Sequence, residues 1–164
     1  MAKPTKDAPG LIIIFGIIAL IGILLGFAYN QAVYSLILLI PLVGYEIYRV
    51  EGKSTRWASA GLGGIIIAEI ALIAFNVKFD LASFLDVKSK YFEGYEVPLG
   101  DIKILGPALM AILCIVLFKN TNGIYTKALS VLIFLAAFAV IYQLDPGIFS
   151  TFSRVMINSV QGIS

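Results

Sequence analysis

Long unbroken runs of apolar residues alternate with short polar stretches along the whole chain. Five such runs occupy residues 11–29, 32–49, 57–77, 104–118 and 124–144. A helix rising 1.5 Å per residue needs about 20 residues to cross about 30 Å of hydrocarbon. Each run is therefore predicted to be a transmembrane helix. The fourth is the shortest, and Lys103 and Lys119 at its ends extend its reach by snorkelling. Were it re-entrant instead of spanning, the C-terminal tail would change sides.

The interruptions carry turn and stop signals. Asn30-Gln31 divides the first two runs so closely that a tight hairpin is predicted, and Asp145-Pro146-Gly147 is a strong stop after the fifth. Pro41 should kink the second helix, since proline removes one intrahelical hydrogen bond. Two further segments have helical periodicity without the length to span. In residues 78–103, Leu81, Phe84, Leu85, Lys88 and Phe92 recur at helical spacing between Asp80 as N-cap and Gly94 as C-cap. In residues 146–164, Ile148, Phe149, Phe152, Val155, Met156 and Val160 form one apolar stripe. Both are predicted to lie flat on the membrane surface or to pack on another subunit.

Composition agrees with the pattern. The 164 residues are 60% hydrophobic and 13% charged, with a mean hydropathy of +0.96. Soluble domains run at about 45–50% apolar and about 25% charged. The predicted fold class is all-α: a polytopic integral membrane protein with about five transmembrane helices and short interfacial amphipathic helices, residues 1–164 making one membrane domain. The polar start followed by an apolar run resembles a secretory signal. The apolar part is long for one, however, and Ala28-Tyr29-Asn30 is a poor cleavage site, so the first helix is expected to be retained.

With five spans, Lys3, Lys6, Arg49, Lys53, Arg56, Lys119 and Lys127 fall on one side in short segments. Lys78, Lys88, Lys90, Lys103 and Arg154 fall on the other, among six acids. The positive-inside rule then places the N-terminus in the cytoplasm, with residues 78–103 and the C-terminus outside a cell membrane. A net charge of +2 without a basic cluster is too small to suggest nucleic acid, and none is expected as a partner.

Candidate chemistry is sparse. The chain has one cysteine, Cys114, and no histidine, so neither an internal disulfide nor an imidazole-ligated metal or haem is open to it. No phosphate-cradling glycine loop or nucleophile elbow is found. No catalytic residue, cofactor or metal is expected.

One ionisable residue lies deep in an apolar run. Glu69 shares a helical face with Ala58, Gly61, Ile65, Leu72 and Asn76, so Glu69 and Asn76 form a possible intramembrane polar site. A charge at bilayer depth costs at least about 2.5–3.5 kcal/mol and normally faces a protein interior or a watery cavity. One reading makes Glu69 a proton or cation site. The other, preferred, makes it a neutral carboxyl hydrogen-bonded to a neighbouring helix. Glu46 is assigned to a helix end beside Tyr45, Tyr48 and Arg49 and is not counted as a second intramembrane acid.

Small residues at four-residue spacing mark two helix-packing faces, Gly22 with Gly26 and Ala60 with Gly64 and Ala68. The expected function is that of a non-catalytic accessory subunit of a larger membrane complex, such as a respiratory or other electron-transfer assembly. Its expected partners are other membrane subunits and membrane lipids. The alternative is a small ion- or proton-coupled transporter or channel using Glu69 and Asn76.

Overall fold

The computed structural model describes residues 6–77, 91–92, 95–96, 102–147 and 149. The fold is all-helical, with five helices among the described residues long and apolar enough to cross a membrane. These are α1 (Ala8–Tyr29), α2 (Ala32–Arg49), α3 (Lys53–Ala74), α4 (Leu105–Asn120) and α5 (Ile124–Leu144). A 3-10 turn at Ile102–Ile104 leads directly into α4, so the apolar span there runs Ile102–Asn120 over 19 residues, longer than the sequence run.

Helix ends follow local chemistry. Asn30 closes α1 in the left-handed conformation, with φ 54°. The Gln31 N–H then donates to the Gly26 carbonyl at 2.9 Å, the six-to-one bond of a Schellman cap. Asn76 repeats the device after α3: its φ is 48°, its N–H donates to Ile73 O, and the Val77 N–H donates to Leu72 O, both at 3.0 Å. α3 therefore stops at Ala74, short of the apolar run's end at 77. It also starts earlier than the run, because Gly52 at φ 112° turns the chain and the polar residues that follow are compatible with a helix. α2 continues through Pro41 as one helix from Ala32 to Arg49.

Of the predicted amphipathic helix in residues 78–103, only the end at Phe92 falls among described residues. There the structure differs, since Tyr91 and Phe92 pair antiparallel with Glu96 and Tyr95 in a two-residue ladder. The rest of that segment lies outside the described residues. The stripe in residues 146–164 does too, except for Phe149, whose ring packs on Tyr142 at 5.6 Å and Phe138 at 6.4 Å.

The helices form a ring in chain order, α1 meeting α5, and α2 also touches α5 across it. α2 and α5 are accordingly the most buried. Leu39, Leu42, Leu62, Ile66, Met110, Leu117, Leu129 and Ile133 meet in one core, lined up by their three- and four-residue spacing. Two levels of exposed aromatic residues bracket it. Tyr48 and Trp57 stand at the end carrying the α2–α3 and α4–α5 connections, and Tyr29, Phe75 and Tyr142 stand at the other. Such belts sit at membrane–water interfaces.

Candidate functional site: two buried carboxylates

Two glutamates are buried at opposite ends of the bundle. Glu69 is 1% exposed and lies on α3 five residues before its end at Ala74. Gly106, in the first turn of α4, has no side chain, and Glu69 Oε2 fills the space its Cβ would take. The acid thus packs into a notch on a neighbouring helix.

The structure does not bring Asn76 into that site. Asn76 lies beyond the helix end and is exposed, and its left-handed backbone completes the cap of α3. Glu69 and Asn76 share a helical phase but do separate jobs.

Glu46 is the residue that sequence reasoning passed over. It does lie near the end of α2, as expected, yet it is 0% exposed, and its Oε1 accepts a hydrogen bond from Ser130 Oγ of α5 at 3.4 Å. Ser130 Oγ also lies 3.0 Å from the Thr126 carbonyl, which competes for the single hydroxyl proton as backbone carbonyls do for serines within helices. Glu46 Oε2 and Ser59 Oγ are both buried without a hydrogen-bond partner among the described residues. Arg49, one turn on, lies 5.8 Å from the Tyr45 ring centre and 5.4 Å from that of Tyr125, and its Nη1 donates to Tyr45 Oη at 3.4 Å. Between α4 and α5, a cavity of about 190 Å³ reaches Ser130 and Cys114 and is otherwise walled by Ile115, Phe118, Val131 and Phe134. The signal for Glu46 was present in the sequence: it continues the stripe Leu39, Leu42, Val43, every member of which is buried.

A third polar cluster ties three helices together at the α1–α2 end. Ser35 Oγ of α2 donates to Gln143 Oε1 of α5 at 2.7 Å and lies 3.2 Å from the Gly22 carbonyl, while Gln143 Nε2 donates to the Ile23 carbonyl of α1 at 3.1 Å. Gly22 and Gly26 are buried at this junction. A Cβ on Gly22 would lie 2.6 Å from Leu38 Cβ and 3.1 Å from the Tyr34 carbonyl, and one on Gly26 would strike Ser35 Oγ. Ala60, Gly64 and Ala68 have the same spacing but the opposite setting, all three being exposed on α3.

Among the described residues no group of three or more Cys, Asp or Glu side chains could hold a metal. With no histidine in the chain, no imidazole is available to activate the Ser130 hydroxyl. What the polar groups do is join helices: α3 to α4 through Glu69, α2 to α5 through Glu46, and α1, α2 and α5 through Ser35 and Gln143. The fold and these sites define a multi-pass membrane protein of the helical-bundle class. No protein family, curated protein or solved structure matches the chain.

Proposed function

We propose that the protein is a non-catalytic structural subunit of a larger membrane assembly, such as a respiratory or other electron-transfer complex, with lipids and other membrane subunits as its partners. The observation that carries this reading is the uncovered small-residue stripe on α3. Within hydrocarbon, helices associate through close backbone approach. Gly22 and Gly26 use that device inside the chain, whereas Ala60, Gly64 and Ala68 present it outward. A neighbouring subunit's helix is its natural complement. The transporter alternative relied on Glu69 acting with Asn76, and the placement of the two residues supports separate structural roles instead.

Tagged full-length protein, extracted from its own membranes in mild detergent, is expected to bring stable partner subunits with it. Gly64→Leu should release them and leave the fold intact, because nothing lies within 4 Å of a Cβ at that position. A chain that purifies alone and carries ion flux after reconstitution would refute the proposal.

In the proposed orientation the N-terminus and the α2–α3 and α4–α5 connections are cytoplasmic, from seven basic residues in short segments against five. In whole cells, an impermeant thiol reagent is expected to label Phe75→Cys and to spare Lys53→Cys. The reverse pattern would invert the topology.

A further inference from the structure

Where α2 ends and α3 begins, the surface folds into a cleft of about 600 Å³. Lys53 and Arg56, one turn apart and both exposed, stand on its wall with Tyr48. Among the described residues that line it Glu51 is the one acid, so two cations face one anion. The first turn of α3 adds to the positive side. Gly52 provides no capping side chain and the turn contains no acidic residue, so the positive end of the helix dipole faces the cleft with Glu51 just ahead of it. Tyr48 and the 80% exposed Trp57 set the cleft at the level of the membrane interface.

A second feature continues from the first. Ile47 lines both the cleft and an apolar groove of about 160 Å³ between α2 and α3, which passes Gly44 and Gly63 to reach Ile40 and Ile67. From Ile47 to Ile40 the groove follows α2 for about 10 Å towards the bilayer midplane. The groove is open beside Gly44, where a Cβ would meet nothing within 4 Å. A basic, aromatic-edged cleft at the interface, sharing Ile47 as a wall with a narrow apolar groove that runs into the bilayer, has the polarity and order of parts of a phospholipid.

We propose that this α2–α3 face binds one anionic phospholipid, its phosphate held between Lys53 and Arg56 and one acyl chain lying past Gly44. The site borders the proposed subunit contact, because Ile67 of the groove and Ala60 of the outward stripe are seven residues apart and nearly share a phase on α3. Gly63 of the groove and Gly64 of the outward stripe are consecutive, so they point about 100° apart around α3.

The test is native mass spectrometry on the full chain in detergent, titrated with phosphatidylglycerol, phosphatidylcholine or inorganic phosphate. Phosphatidylglycerol should be retained in preference to phosphatidylcholine. Lys53→Gln with Arg56→Gln should weaken its binding roughly 30-fold, following the contribution of a basic residue near an anionic lipid surface. Gly44→Leu fills the groove without striking the fold and should weaken it as well. Lys119→Gln with Lys127→Gln removes two charges at the α4–α5 connection and should leave it unchanged. Equal retention of the two lipids would overturn the proposal, as would wild-type binding by Gly44→Leu or an equal loss in the Lys119/Lys127 pair. Displacement of phosphatidylglycerol by inorganic phosphate would overturn it in favour of a soluble-anion site.

Discussion

Gly22→Ala is expected to destabilise the bundle by about 2–3 kcal/mol, while Gly64→Ala leaves it unchanged or gains up to about 1 kcal/mol. The added methyl is identical, and both glycines belong to small-residue stripes. At Gly22 it meets Leu38 Cβ at 2.6 Å and the Tyr34 carbonyl at 3.1 Å. Neither atom can swing aside, one being the root of a side chain and the other main chain, so α1 and α2 must part. Parting them also stretches the Ser35 and Gln143 bonds that hold α5 to the pair. At Gly64 the methyl enters open space, and alanine is the better helix former. Reversible unfolding in mixed micelles, followed by circular dichroism, measures both. Equal midpoints for Gly22→Ala and Gly64→Ala would show that α1 and α2 are not in the contact described.

Gly106→Leu is expected to cost about 3 kcal/mol, and Glu69→Ala in the same chain to recover at least about 1 kcal/mol of it. The carboxylate in the notch is the far end of a flexible side chain, so a methyl at position 106 could displace it. A leucine takes the whole notch and drives α3 from α4. Shortening Glu69 returns part of the volume, and the two substitutions should be clearly non-additive in a double-mutant cycle. Strict additivity would mean that Glu69 and Gly106 do not share that space. Glu69→Gln, which keeps the shape and a donor, should preserve assembly, whereas Glu69→Leu should weaken packing by roughly 1 kcal/mol.

The five helices were legible because a membrane span needs only length and apolar character, and both can be counted. The Asn30 turn was legible from its residues. Asn76 was assigned by helical phase to the face of Glu69, yet its own backbone ends the helix. An asparagine in an apolar run near a helix end is a cap candidate before it is a polar partner. Glu46 was set aside for lying near a helix end beside Tyr45, Tyr48 and Arg49, although its stripe mates Leu39, Leu42 and Val43 already pointed it inward. Two things were beyond reach from one sequence. The notch at Gly106 depends on which helix lies opposite α3. Spacing alone cannot tell the covered stripe of α1 from the uncovered stripe of α3, because it describes one surface of a contact and never the other.

The bonds from α5 also set a schedule. Ser35 is joined to Gln143 across 108 residues, Gln143 reaches back 120 to Ile23, and Ser130 reaches 84 to Glu46. At roughly 5–20 residues per second of synthesis, Ser35 enters the bilayer about 5–20 s before its partner exists. Glu46 waits nearly as long, a carboxyl in hydrocarbon with its hydroxyl donor still untranslated. Until α5 is delivered the nascent chain is therefore an unfinished bundle whose polar groups must be sheltered by the insertion machinery or kept near the lipid headgroups, and α5 is the one of the five spans that completes it.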